Sequence, residues 1–312
     1  MTVCADSSGS RLQILVANTT LQQNRRNAVR ALAQDHLSGS AELALRACGI
    51  LEACGREDKL PPSSAETIAR AVARAQPSMA AVLNVANRWL CAVEKGEPPA
   101  AAARRLAQEL RNAQRATAAH AASLIANHAT VLTYSFSSTV LVALRQARKQ
   151  GRRFRVLCSE ARPQMEGRTL ARRLAESGIP VELFTDAALF SAIREADLVL
   201  VGCDTIGSLG FVNKIGSLGL LGLARRWGVA FHLVGDTFKL LPPGLEPWFK
   251  IRSEKAAEVW KVAQRKIRVH NVYFEKVPWA GCACVVLETG VWTPREIRRL
   301  LHETEIAAAF RS

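Results

Sequence analysis

A carboxylate, an amide and an ammonium group follow one strongly apolar run in the second half of the sequence. The run covers residues 198–203, and Asp204 comes directly after it. Asn213 and Lys214 follow a glycine-rich loop, and this pair is predicted to open an apolar helix. Because open α/β sheets bind ligands beside the carboxyl ends of their strands, we expect the three side chains to line one crevice. A small phosphorylated ligand suits them, with Lys214 for the phosphate and Asp204 and Asn213 for sugar hydroxyls.

A hydroxyl-rich turn follows an earlier strand-like run at residues 131–134. It carries Ser135, Ser137 and Ser138 at the predicted start of a helix. Hydroxyl groups and backbone N–H groups at a helix N-terminus can bind a phosphate. An ordinary serine N-cap explains the segment equally well when it is considered alone.

Arg162 follows the strand-like run at residues 156–158 and is predicted to reach the same edge of the sheet. Its guanidinium group suits bidentate phosphate binding. An ion pair with Glu166 is the alternative, and the residue types alone favour neither.

The elements that position these groups divide the chain into two regimes. Residues 12–128 have a helical pattern, with breaks at 55–64 and 96–99, whereas short β-type runs begin after Ala129. Strands are predicted at 131–134, 154–158, 181–184, 198–201 and 230–234. Helices are predicted between them at 138–150, 166–177, 187–196 and 217–227. The alternation predicts an α/β protein with a helical N-terminal domain (1–128) and a Rossmann-like parallel-sheet domain (129–312).

Two absences in the sequence narrow the chemistry. The glycine fingerprint GxGxxG of dinucleotide-binding turns is missing, so we expect no cofactor. The eight cysteines form no CxxC pair and the six histidines show no ligand spacing, which predicts reduced core thiols and no structural metal.

The charge balance is strongly basic, with 42 basic against 27 acidic residues and a formal net charge of +15. Most basic residues are spread along predicted helices, and the dense segment 145–155 lies where a helix C-terminus attracts cations. No aromatic interleaving or reader motif accompanies it, so nucleic acid is an unlikely partner. No apolar run is long enough to span a bilayer and the N-terminus lacks a signal pattern, which predicts a cytoplasmic protein without a membrane partner.

Several ordered motifs resemble one family. Residues 202–204 (Gly-Cys-Asp) and 213–216 (Asn-Lys-Ile-Gly) resemble the signature of the family that holds initiation factor 2B α/β/δ subunits and certain sugar-phosphate isomerases. Residues 132–140, 159–167 and 271–278 resemble further landmarks, and the similarity runs from about Leu37 to the C-terminus. The resemblance implies the two-domain fold predicted above.

The resemblance also implies further ligand-binding residues. The segment 236–239 looks like another landmark and places Lys239 near the crevice. Ser38 and Gly39 match a place where the isomerases carry an Arg-Gly pair that looks like part of the sugar-phosphate pocket. A cap for the following helix is the alternative role of this segment.

Catalysis is where the family divides. The isomerases resemble one another in pairing a cysteine, two residues after the equivalent of Thr133, with the equivalent of Asp204. Here Ser135 stands in place of the cysteine, and an unassisted serine hydroxyl cannot exchange protons near neutrality as a thiol can. We therefore expect a non-catalytic or altered member that binds a sugar phosphate or nucleotide as a regulatory or assembly subunit. The alternatives are an active aldose-ketose isomerase with Asp204 as acid/base, and an assembly subunit with a vestigial pocket.

The apolar segment at residues 279–287 is predicted to form a strand at the sheet edge. Family members resemble each other in pairing their C-terminal domains, which implies a homodimer or a dimer-built hexamer. Capping of the chain's own sheet is the alternative role of this strand.

Overall fold

The computed structural model describes residues 23–36, 38–56, 60–262 and 264–311. Its first part is helical. A helix over residues 23–34 (α1) is followed by α2 (Ser40–Cys54), α3 (Pro62–Ala75), α4 (Ala80–Glu94) and α5 (Pro99–Ser123). Pro62 and Pro99 stand at the first positions of α3 and α5, where the helix makes no use of a backbone N–H. Among the described residues, no helix is both long and apolar enough to cross a bilayer.

Strands and helices alternate after α5. The strands are β1 (Thr130–Leu132), β2 (Arg155–Ser159), β3 (Val181–Phe184), β4 (Leu198–Gly202), β5 (Thr205–Ile206), β6 (Gly210–Lys214), β7 (Ala230–Val234), β8 (Phe274–Pro278), β9 (Cys284–Leu287) and β10 (Gly290–Trp292). The helices are α6 (Ser138–Lys149), α7 (Glu166–Ala175), α8 (Asp186–Ser191), α9 (Ser217–Trp227) and α10 (Pro294–His302). A helical half followed by a mostly parallel sheet confirms the predicted fold class.

The main sheet has seven strands in the order β10-β9-β7-β4-β1-β2-β3. Every pairing in it is parallel except that of β10 with β9. The central strand β4 is buried on both faces: Val199 and Val201 pack in one core, whereas Leu198 and Leu200 pack in the other. Burial on both faces explains why this strand is a continuous apolar run.

Two sequence predictions were wrong. Asn213 and Lys214 do not open a helix, because they end β6 in a small antiparallel sheet of order β5-β6-β8. The segment 279–287 does not supply the edge strand either, since β9 lies between β7 and β10, and β10 forms the edge. β8, the partner of β6, lies far away in the chain, whereas β10 follows β9 after two residues and is only three residues long, too short to give a clear strand pattern.

The two halves share a core. Residues 238–245 and 307–310 pack with α2–α5, and Phe310 contacts Trp248 with ring centroids 4.9 Å apart. Helix α5 ends at Ser123, and the first strand of the sheet, β1, begins at Thr130. The division into domains 1–128 and 129–312 stays a prediction.

Candidate functional site

A cleft of about 290 Å³ lies between the helical half and the carboxyl ends of β1, β4 and β6. Its walls include every side chain that the sequence singled out for ligand binding except that of Arg162. These cleft residues are Ser38, Gly39, Ser135, Ser137, Ser138, Asp204, Asn213, Lys214 and Lys239. The fold therefore brings together residues that lie far apart in the sequence. Their binding of a ligand stays a prediction.

Arg162 lies outside the cleft. The residue is exposed, and its guanidinium group is 3.5 Å from the Val259 carbonyl oxygen. Its backbone N–H donates to Asp186 Oδ2 at 2.8 Å. Arg162 therefore neither lines the cleft nor pairs with Glu166, whose ion-pair partner is Lys214.

Glu166 organises one wall of the cleft. Ser135 Oγ donates to Glu166 Oε1 at 2.7 Å, and Lys214 Nζ lies 2.7 Å from the same oxygen. The other carboxylate oxygen, Oε2, is buried and has no hydrogen-bond partner among the described residues. Ser135 has a φ of +65°, in the left-handed region that a side chain rarely adopts. The Ser135 hydroxyl thus bonds Glu166 from an uncommon backbone conformation.

The hydroxyl turn and the end of β4 approach closely. Ser137 is the N-cap of α6, and its Oγ accepts a hydrogen bond from the Val140 N–H at 3.3 Å. A Cβ atom at Gly202 would lie 2.6 Å from both Cβ and Oγ of Ser137, so only glycine fits there. The ordinary capping role is thus present, and Ser138 continues the same helix along the cleft.

Asp204 has an unusual electrostatic environment. Burial raises its pKa to about 6, while Lys239 and Lys214 oppose the shift and Glu166 adds to it. The Lys239 ammonium is itself buried and donates to the Cys203 carbonyl oxygen at 2.7 Å. A carboxyl group of this kind can exchange a proton near neutrality.

The nearby thiols cannot take the place of the missing cysteine. Cys158 and Cys203 are fully buried, and burial raises the pKa of each thiol to about 12. They stay protonated near neutrality and serve as core residues.

Backbone N–H groups at the start of α9 already donate hydrogen bonds to a carboxylate. Glu275 Oε1 accepts from the N–H groups of Gly216 and Leu218 at 2.7 and 2.9 Å. Gly216 has a φ of +105°, and a Cβ there would lie 2.6 Å from the Tyr134 hydroxyl. Asn213 Nδ2 donates to Ser217 Oγ at 2.9 Å, which ties the end of β6 to this helix.

The cleft is also lined by residues that sequence reasoning missed. They come from the α1–α2 connection, the α3–α4 turn and the segment before β8, and are His36, Gln76, Arg252, Glu254 and Tyr273. Nothing in their local spacing marks them, although Tyr273 belongs to the family landmark at 271–278. Tertiary contacts alone bring them together.

A helical half, a Rossmann-like parallel sheet and a cleft at its strand ends define the fold class of initiation factor 2B subunits and their isomerase relatives. The chain belongs to the Initiation factor 2 subunit family, whose sequence model matches residues 37–294. This confirms the family resemblance found in the sequence.

The similar proteins fall into two groups by name. A putative translation initiation factor eIF-2B subunit 2-like protein from Pyrococcus horikoshii is 29% identical over 274 residues, covering 86% of this chain and 97% of that protein. A ribose 1,5-bisphosphate isomerase from Archaeoglobus fulgidus is 32% identical over 169 residues, which is 53% of this chain and 54% of the isomerase.

Solved structures share the fold. The crystal structure of translation initiation factor eIF-2B from Pyrococcus horikoshii OT3 has a TM-score of 0.76 at 28% identity, covering 88% of this chain and 98% of that one. A chain of the tetrameric eIF2B-β2-δ2 complex from C. thermophilum has a TM-score of 0.70 at 17% identity, covering 95% and 99%. The second likeness concerns the fold alone.

Proposed function

We propose that this protein binds a small phosphorylated molecule, a sugar phosphate or a nucleotide, as a non-catalytic regulatory or assembly subunit. The observation that carries this is the composition of the cleft. It retains Asp204, Asn213, Lys214 and Lys239, yet the place of the isomerase cysteine is taken by Ser135. The Ser135 hydroxyl donates a hydrogen bond to Glu166 Oε1, and a hydroxyl group does not supply the thiolate that a cysteine could supply there.

A second candidate is an active aldose-ketose isomerase, and two observations favour it. Asp204 has a pKa of about 6, and the Glu166 carboxylate lies beside the Ser135 hydroxyl at 2.7 Å. In this candidate Asp204 would be the acid/base and Glu166 would assist Ser135. The relative named a ribose 1,5-bisphosphate isomerase makes that compound the first substrate to test.

Binding and turnover are tested together. Purified protein is screened by thermal shift against sugar phosphates and nucleoside monophosphates, because a ligand that binds only the folded state raises the melting temperature. Any hit is then incubated with wild type and with Asp204→Asn, and the product is measured by NMR. A shift without turnover supports the subunit, and turnover that Asp204→Asn abolishes makes the protein an isomerase. The absence of a shift with every phosphorylated compound would leave an assembly role.

We also infer a homodimer or a dimer-built hexamer. The relative from C. thermophilum is described as a tetrameric complex. Here the edge strands β3 and β10 expose the apolar side chains of Leu183 and Val291, which are 46% and 51% exposed.

Light scattering of Leu183→Lys/Val291→Lys should show a smaller assembly than wild type. Leu209→Lys, at an 88% exposed hairpin position away from those strands, should leave the mass unchanged. A monomeric wild type at micromolar concentration would exclude the assembly.

A further inference from the structure

A long loop before β8 is closed at its base. The Glu254 N–H donates to the Asn271 carbonyl oxygen at 2.9 Å, and Asn271 Nδ2 donates to the Lys255 carbonyl oxygen at 2.9 Å. The structure describes residues 255–262 and 264–270 of this loop, which we call the basic loop. Loops whose ends meet in this way are compact surface units that frequently carry function.

The acidic side chains of this stretch are held at its base. Glu254 Oε1 lies 3.7 Å from Arg252 Nε, and the Glu254 side chain is only 10% exposed. Glu258 Oε2 accepts from Asn271 Nδ2 at 2.8 Å and from the Tyr273 hydroxyl. The sequence from 254 to 270 contains no other carboxylate side chain, so the basic loop has none left to neutralise its cations.

The cations of the basic loop are exposed. They are Lys255, Lys261, Arg265, Lys266 and Arg268. None of these side chains forms an ion pair or a hydrogen bond with a residue that the structure describes. Arg162, which lies outside the cleft, adds another exposed cation beside the loop, because its guanidinium group is 3.5 Å from the Val259 carbonyl oxygen.

The other dense basic segment of the chain, 145–155, differs in this respect. Arg145 Nε donates to Ser177 Oγ at 2.7 Å, and Arg155 pairs with Glu182 at 2.6 Å. These arginines already bind groups of their own chain, whereas the side chains of the basic loop are free to bind a partner.

Apolar side chains are interleaved with the cations of the basic loop. Val259, Trp260 and Ile267 are 38%, 55% and 42% exposed. A single-stranded nucleic acid stacks its bases on several aromatic rings, but the loop offers one tryptophan and two aliphatic side chains. A bilayer takes up a fully exposed apolar face, and these side chains are only about half exposed. Apolar side chains of a polypeptide match them better than either.

We propose that the basic loop binds an acidic segment of another protein, in which apolar side chains alternate with carboxylates. The carboxylates pair with Lys261, Arg265 and Lys266. The apolar side chains pack on Trp260 and Ile267. A second copy of this chain is a poor partner, because its net charge is +15. The contact uses none of the ligand-binding residues of the cleft, so it is independent of the proposed function.

The charge contribution is tested by fluorescence anisotropy with a labelled peptide of Glu-Glu-Leu repeats. Lys261→Gln/Arg265→Gln should weaken binding roughly 5- to 10-fold at low salt. The matched control is Arg295→Gln/Arg298→Gln, which removes the same charge from exposed positions of α10 and should change the affinity less than about 2-fold. Unchanged melting temperatures show that both variants fold.

The apolar contribution is tested with an all-glutamate peptide of the same length. Trp260→Ala should weaken binding of the Glu-Glu-Leu peptide about 5-fold and leave binding of the all-glutamate peptide unchanged. Equal effects on the two peptides would contradict the apolar part of the proposal.

Three further results would overturn the proposal. The first is that wild type binds neither peptide. The second is that the loop variant and the α10 variant weaken binding equally, which would reduce the effect to net charge. The third is that oligouridylate RNA or phosphatidylserine vesicles bind more tightly than the Glu-Glu-Leu peptide and lose that binding in Lys261→Gln/Arg265→Gln, which would assign the loop to that class of partner.

Discussion

Ser135 occupies the position at which the resemblance implies a cysteine in the isomerases, and the residues around it decide whether a thiol there could act. Ser135→Cys restores the thiol, but the Glu166 carboxylate that accepts from Ser135 at 2.7 Å would stand beside it. A neighbouring negative charge raises the pKa of a thiol. We expect Ser135→Cys to remain inactive on ribose 1,5-bisphosphate, and Ser135→Cys/Glu166→Gln to be the more active of the two. Coupled assay of product formation measures both. Higher activity in the single variant would contradict this account.

A second prediction at the residue scale concerns acid stability. Asp236 is fully buried, and burial raises its pKa from 3.8 to about 6. Between these pH values the folded protein binds more protons than the unfolded chain, so the free energy of unfolding falls as the pH rises. The loss of stability caused by ionising the buried Asp236 is complete above its folded-state pKa. Asp204 acts in the same direction over the same window.

Replacing Asp236 by Asn should therefore flatten the pH dependence of stability between about pH 4 and 6. Urea denaturation at both ends of this window measures the change. Glu176→Gln, at an exposed position of the same chain, should keep the wild-type slope. An unchanged slope in Asp236→Asn would place the titration in another group.

At the scale of elements, the contact between β4 and α6 depends on one missing side chain. A methyl group at Gly202 would lie 2.6 Å from the Ser137 Cβ and Oγ. We expect Gly202→Ala to reduce the free energy of unfolding by about 1–3 kcal/mol, because the strand and the helix cap must move apart. Gly49→Ala is the matched control: Gly49 lies inside α2 with nothing within 4 Å of its added Cβ. That variant should instead gain about 0.5–1 kcal/mol. Urea denaturation of both distinguishes crowding from a general effect of alanine.

The elements also show which features a sequence can predict. The parallel strands were found because each is an apolar run between helical segments, as in β4, and two-sided burial requires that pattern. β6 was mistaken for a helix start because its partner β8 lies about sixty residues further on. Arg252 was missed for a related reason. Its place in the cleft depends on Gln76 and Ser78, which lie more than 170 residues away in the chain.

At the scale of the whole molecule, the C-terminus belongs to the helical half. Phe310 is fully buried there, Trp248 Nε1 donates to its carbonyl oxygen at 3.3 Å, and Arg70 Nε donates to the Ala309 carbonyl oxygen at 3.2 Å. We expect Phe310→Ala to lower the free energy of unfolding by about 3–5 kcal/mol. Tryptophan fluorescence and circular dichroism should give one coincident transition. Two separate transitions would show that the halves unfold independently.

The cleft has walls from both halves of the chain, since Gln76 and Ser40 line it together with Asp204 and Lys239. A molecule that binds both walls would stabilise the two halves together, because they share one core. Saturating ligand should then slow amide hydrogen exchange in the helical half as well as in the sheet.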